Sequence, residues 1–479
     1  MRLFGSRRSS VSASRTGKYT EAHFAKGIAI SVAIASICAS GAVPRLADSV
    51  GIAQAPGSDL VTVTYRLLDA EGIVTVDFQT NGVSIGEMNF NNVYGDVNCL
   101  IQPSESVDRH VYWRPSRSWP EGGRIESGFS VKVTVWPTTT PPDYLVVDLL
   151  GTSSVRYYVS PDALPGDDQT KNSLGILHPI YKTHKLAMRR VPAQGVTFTM
   201  GSPTSGPESY GRSAHETPHK VTFTNDFYLA VFETTQGQWH YLGGGADFPH
   251  ETTVGADLPS GDAYPVTGLC YNNLRGTSWP SDRATHDLGG NTTSTIALMR
   301  QRFSVDFDLP TDAQWEFACR AGCSTSLYNG YNIPEQYWWY GYYDGRTTAN
   351  EYPPLDEIAW YEVNAEGTIH PVGMKKPNDW GFYDMLGNAS EWVLDWAERM
   401  SYEPQGVVSG DDVTEPFGLE TTADDGRVMR GGSVKDKIGI MRTSYRWRMP
   451  QYVVNGGAGG CGRSDCGAFR LMCPVTLRW

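Results

Sequence analysis

Asp384, Gly387, Ala389 and Glu391 fall within one short stretch, PNDWGFYDMLGNASEWVLDW, at 377–396. Two carboxylates with two backbone carbonyls between them suit one hard cation on a tight loop, and calcium accepts such mixed oxygen shells. The same acid–Gly pattern also makes an ordinary turn whose acids face water. Spacing alone leaves both readings open. Cys461 and Cys466 bracket Gly462-Arg463-Ser464-Asp465, a spacing open to a local disulfide or to two free thiols. The chain has no G-x-S-x-G elbow and no Walker A loop. No local signature builds a nucleophile triad.

The elements that must position these residues come from a folded, aromatic-rich chain. Its 479 residues include 14 Trp and 25 Tyr, and only 19% are charged, unlike a disordered sequence. The length suggests roughly three domains and allows a sizeable core. Gly (51) and Pro (29) are plentiful, so loops and turns should outweigh long helices. The formal charge is −12. The first 42 residues carry six Lys or Arg against one Glu, so the remainder is more acidic still. An acidic body argues against nucleic acid and anionic membrane surfaces as partners and is compatible with calcium.

Residues 1–42 read as a signal peptide. Arg7, Arg8, Arg15, Lys18 and Lys26 make a basic n-region, Gly27 to Ala39 an apolar h-region, and Ser40-Gly41-Ala42 a small-residue cleavage site. The protein is therefore expected to be secreted or periplasmic, with no membrane span in the mature chain. Cys38 leaves with the signal. Seven cysteines remain, an odd number, so at least one thiol stays free or pairs outside the chain. Cys319 and Cys323 sit four apart at the end of a predicted helix.

Alternation in VTVTYRL, IVTVDFQT, SVKVTVW and YLVVDLL predicts a small all-β sandwich, Ig-like, over 58–150. Trp113 and Trp136 are its expected core. Residues 151–185, with Pro161, Pro165 and Gly166, read as a linker. The remainder, 186–479, is a second folded region. There, Thr311 and Gln314 make a capping box and Gly322 a stop, predicting a helix from about Asp312 to Ala321. Trp315, Ala318 and Cys319 would face the core. Thr234 to Leu242 is a second predicted helix, entered through Glu233 and Thr235, with Trp239 in the core.

The second region resembles the formylglycine-generating enzyme, or sulfatase-modifying factor, superfamily. The resemblance rests on ordered motifs: MGSPTSG (200–206), ETPHKVTF (216–223), FYLAVFETTQGQW (227–239), YPVTGLCYNNLRG (264–276), FDLPTDAQWEFACRAG (307–322), HPVGMKKPNDWGFYDMLGNASEW (370–392), RVMRGGSV (427–434) and GAFRL (467–471). It implies an α+β, C-type-lectin-like fold with few long elements. It also implies calcium at Asp384, Gly387, Ala389 and Glu391. A second upstream calcium site of the active enzymes does not align across Asn350 to Gly367.

The resemblance further implies where copper(I) would sit: two cysteines spaced C-x4-C, the first three residues after the Ser of RGGS. Soft thiolates are what copper(I) needs. Here those positions hold Asp436 and Met441, and the family's tryptophan within NAWEW is Ser390. Copper is therefore not expected. Cys461 and Cys466 share the spacing but come 28 and 33 residues after Ser433; with Ser433 they are the weak catalytic candidates. The hydroxyl of Ser433 is read as satisfied, Arg430, Gly431 and Gly432 as a buried turn, and His370 as structural. His215 and His219 match the first spacing of an iron-binding element in related synthases, but Pro218 lies between them.

Two functions of different class follow. One is a calcium-stabilised binding or scaffold module for an unidentified protein or glycan ligand. Its contact surface would include Tyr445, Trp447, Arg448, Tyr452 and the glycine loop at 455–464; the alternative for Tyr445 and Trp447 is the core. The other is an oxidoreductase converting a substrate cysteine, as in a sulfatase, to formylglycine.

Overall fold

The computed structural model describes residues 42–119, 128–151, 154–166, 175–212, 216–242, 259–276, 292–335, 337, 352–397, 413–414, 426–450 and 466–475. Of the expected signal peptide only Ala42 is described, and His215, Tyr452, Cys461 and the 455–464 loop lie outside these residues.

Alternation becomes two antiparallel sheets in the amino-terminal part. One runs in the order Gly51–Gln54, Val61–Tyr65, Arg109–Trp113, Tyr94–Gly95. The other pairs Phe129–Trp136 with Gly72–Thr80, which in turn pairs Val83–Ser84 and Leu100–Ile101. Val61, Val63, Val111 and Trp113 from the first meet Val74, Phe78, Val131 and Val133 from the second in one apolar cluster. Trp113 stacks on Phe78 with centroids 4.5 Å apart. Trp136 is only partly buried, and its Nε1 donates to Thr75 Oγ1 at 2.9 Å.

The fourth expected strand of that unit pairs elsewhere. Tyr144–Asp148 lies in a five-stranded antiparallel sheet, ordered Ser154–Tyr158, Tyr144–Asp148, Lys185–Val191, Phe227–Ala230, Met472–Pro474. Its residues are covered on both faces: Leu145 and Val147 join one core cluster, Tyr144 and Val146 another. A continuous apolar run such as YLVV is the mark of a strand buried on both sides, not of one with a wet face. The boundary at 150 and the 151–185 linker are corrected accordingly. Residues 154–158 form the hairpin partner, and Tyr181 is fully buried.

Two further elements frame the site. A sheet ordered Trp447–Pro450, Gly426–Arg430, Ser390–Trp396, Cys466–Ala468 carries the turns of the second region. The helix Asp312–Arg320 forms as its capping box predicts: Gln314 N–H donates to Thr311 Oγ1, and Thr311 N–H donates to the Gln314 side chain. Its left-handed cap residue is Ala321 (φ 46°), one before the expected glycine. Trp315, Ala318 and Cys319 are fully buried. The second helix, Gln236–Leu242, buries Trp239. Among the described residues no helix is long and apolar enough to cross a membrane.

Because the 144–158 hairpin completes the larger sheet, a fragment spanning 138–479 should melt cooperatively. A fragment spanning 160–479 should not, since it bares the apolar edge of Lys185–Val191. Thermal unfolding followed by circular dichroism distinguishes them.

Candidate functional site

The loop from Asp384 to Glu391 is shaped by backbone. Asp384, Gly387 and Asn388 all have left-handed φ, at 53°, 79° and 60°. Gly387 admits no side chain, since a Cβ there would lie 2.2 Å from the Trp360 carbonyl oxygen. Asn388 N–H donates to that carbonyl at 2.8 Å, Gly387 N–H to Gly431 O at 2.9 Å, and Val434 N–H to Asn388 O at 3.0 Å. The loop is thereby bolted to the RGGS turn.

Its acids do not face water: Asp384 is 2% and Glu391 1% exposed. Asp384 Oδ2 accepts from Gly373 N–H at 2.7 Å. Glu391 accepts from Trp315 Nε1 at 2.8 Å and from Arg470 at 2.5 Å. A third buried acid joins them. Glu233 accepts from Asn388 Nδ2 at 2.7 Å and from Ala389 N–H at 2.9 Å, so it props the loop from beneath. His370 has the structural role expected of it: its N–H donates to Asn388 Oδ1 at 2.9 Å, and its ring stacks on Trp360 at 3.8 Å.

Burial sets the charge state here. It lifts the Glu233 carboxyl well above the usual range, with the charges of Asp384 and Glu391 adding to the rise. It pushes Asp384 up to about 6 against the opposing pull of Gly373 N–H, Arg470 and Lys182. Three buried carboxyl groups thus gather near one buried guanidinium. Two carboxylates and two carbonyls are hard oxygen donors, and the surplus of acid over base is what a cation offsets, so this donor set fits calcium in type and charge. Glu391 is also held on both oxygens by Arg470. Among the described residues no three His, Cys, Asp or Glu side chains form a metal-ligand group.

The RGGS turn places Ser433 beside Asp436. The Ser433 hydroxyl donates to Asp436 Oδ2 at 2.8 Å, and Asp436 N–H donates to Ser433 O at 3.0 Å. Both side chains are buried. Met441 is buried too; a Cβ on Gly432 would lie 3.0 Å from its sulfur. Copper(I) asks for soft donors, and these positions offer a carboxylate, a hydroxyl and a single thioether packed in the core. That set does not fit. The backbone of Cys466 lies in parallel register beside Ser390. His219 is buried in the strand His219–Thr222, with its Nδ1 3.0 Å from Thr217 O. Trp447 packs against the core, and Arg442 lies over the Tyr445 ring at 5.4 Å.

A lattice of buried charge surrounds the Asp312–Arg320 helix. Arg430 pairs with Asp312 and, at 2.8 Å, with Glu316. Arg320 reaches Glu316 at 2.8 Å and Arg446 reaches Asp312 at 2.8 Å. Burial opposes the ionisation of Glu316, yet Arg320, Arg430 and Arg446 bring it down to about 2. Asp395 has the reverse balance. Its Oδ2 accepts Asp312 N–H at 2.6 Å, but burial and the Asp312 charge push it up to about 7. Glu233, Asp395 and Arg470 are site residues that the motif reading passed over. The available signal was a charged residue inside an apolar run: Glu233 follows LAVF, Asp395 lies in WVLDW, and Arg470 in GAFRL.

The family model for the sulfatase-modifying factor enzyme 1-like domain matches residues 183–459. Chaperone protein LppX of Paenibacillus barcinonensis is 29% identical over 186 residues, 36% of this chain and 63% of that protein. The formylglycine-generating enzyme of Mus musculus is 30% identical over 133 residues, 26% of this chain and 29% of that protein. The chain thus spans less than two thirds of the length of either relative. Among solved structures, Treponema denticola variable protein 1 has a TM-score of 0.39 at 22% identity, covering 60% of this chain and 95% of that one.

Two outcomes are expected. Arg470→Met strands the Glu391 carboxylate in the interior and should cost about 3–5 kcal/mol in denaturant unfolding, or abolish soluble expression. In chelator, stability should fall as pH rises from about 4 to about 7. Asp395, at about 7 folded against 3.8 in an ordinary setting, binds its proton more tightly in the native state. Melting temperatures across this window check the slope, and Asp395→Asn should reduce it, the remainder coming from Asp384 and Glu233, which burial also raises.

Proposed function

Because the chain belongs to the sulfatase-modifying factor enzyme 1-like domain family, we propose that it uses that framework as an exported, calcium-stabilised binding or scaffold module, and not as a copper oxidase. One observation carries the reading. At the two positions where the family's copper thiolates are expected, this chain has Asp436, already bonded to Ser433, and Met441, packed behind Gly432. The family's cuprous ion is a soft cation that calls for thiolate donors, and neither residue is a thiolate.

In this reading the carboxyl-terminal region is a C-type-lectin-like α+β domain. The amino-terminal pair of sheets is a small sandwich that carries it, and residues 1–42 direct export. The ligand is a protein or glycan met outside the cytoplasm. Asp384 and Glu391, with the carbonyls of Gly387 and Ala389, would hold calcium and fix the turn. The cation's part is mechanical: it offsets buried acid and stiffens the loop that the Asn388 and Glu233 contacts already shape.

Two measurements test this. Copper(I)-loaded protein incubated under oxygen with a Cys-x-Pro-x-Arg peptide should leave the peptide thiol intact; an aldehyde product would restore the oxidase reading. Excess EDTA should lower the melting temperature and added calcium should restore it, because a ligand bound by the folded state alone stabilises that state. A melting curve indifferent to both removes calcium from the account.

A further inference from the structure

Where the amino-terminal sheets meet the Ser154–Tyr158 strand, Thr75, Phe90, Asn91, Asn98, Tyr158 and Ala163 are among the residues lining a cavity with about 20 Å³ open to the centre of a water molecule. Asn91 is 9% exposed. Its Nδ2 has no hydrogen-bond partner among the described residues. A buried donor left unmade is costly. The lining mixes polar Thr75, Asn91 and Asn98 with apolar Val76, Phe90, Val93 and Val159, and a space of this size holds one water beside the asparagine amide.

The surroundings are a joint. Asn98, held in the left-handed region at φ 57°, donates its N–H to Val74 O and accepts Tyr157 N–H on its own carbonyl, both at 2.7 Å. It therefore stitches the Gly72–Thr80 strand to the Ser154–Tyr158 strand. Arg156 Nη1 donates to Val97 O at 3.1 Å, and the Ser160 hydroxyl donates to Glu87. Apolar contacts continue the seam, since Ile73 belongs to the core cluster that also holds Leu145 and Tyr157.

We infer that this cavity is a structural water site. The water accepts from Asn91 Nδ2, donates to polar atoms lining the space, and completes a joint that fixes the amino-terminal unit rigidly to the family domain. Water suits the place because the orphan group is a donor, and because water can accept and donate at once in so little room. The amino-terminal unit is then a fixed spacer that holds the family domain at a set orientation, and not a module swinging on a linker.

Asn91→Leu separates the outcomes by sign, because leucine matches the asparagine's shape without its polar atoms. With a water in place, the variant deprives it of a partner: the melting temperature falls, and the Tyr157 amide, which crosses the joint, exchanges with deuterium several-fold faster. With a dry cavity, the variant relieves a buried orphan: the melting temperature holds or rises, exchange at Tyr157 is unchanged, and the inference fails. A crystal structure of the unmodified chain gives an independent reading. One ordered water within hydrogen-bond distance of Asn91 Nδ2 supports the site, and an Asn91 side chain turned onto a protein acceptor overturns it.

Discussion

Arg470 ties together more of this chain than any motif read from its sequence. Its side chain is fully buried, and its donors reach three separate segments. Nε and Nη2 bind Glu391, Nη1 reaches the carbonyls of Ala230 and Val231, and Nη2 also reaches those of Tyr383 and Asp384. A planar fork with five donors is the side chain suited to such a node. The node joins the carboxyl end of the chain to the strand Phe227–Ala230, to the acid loop and to the strand Ser390–Trp396. Removing either member of the ion pair would leave an uncompensated charge in the interior, which is far more damaging than never having had the pair.

The same logic runs through the lattice around Asp312 and Glu316, and it accounts for how the framework can persist while its chemistry changes. Each buried acid or base is locked by its partners, so no single substitution in the lattice is cheap. A metal-binding cysteine is under no such constraint. At 436 and 441, a carboxylate hydrogen-bonded to a neighbouring hydroxyl and a thioether in the core are each compatible with the fold. In the proposed reading, fold and copper chemistry part at these two positions, while the acid loop stays in place.

Local chemistry made part of this legible beforehand. Thr311 and Gln314 spell a capping box, and the helix begins there. Trp113, Trp315 and Trp239 were readable as core because large apolar side chains have few other places to go. The acid loop was readable as a turn, but whether its acids met water or protein was not. That depends on Glu233 and Arg470, which lie 151 residues before and 86 residues after Asp384 in the chain. The run YLVVD marks the strand Tyr144–Asp148 but not the sheet it joins. Alternation reports which faces are buried, not which strand lies alongside. Its partner, Lys185–Val191, comes only after a hairpin and three short 3-10 turns.

The central claim is that an oxidase-type framework survives here without the pair of soft donors that a cuprous ion requires. Competition for copper(I) against a colorimetric chelator, on the reduced full-length chain and on its Cys461→Ser variant, tests it most directly. The account predicts that neither protein withdraws a stoichiometric equivalent of copper from the chelator. One equivalent taken up tightly by the parent chain and lost in the variant would contradict it, and would place a working thiolate pair where this account has none.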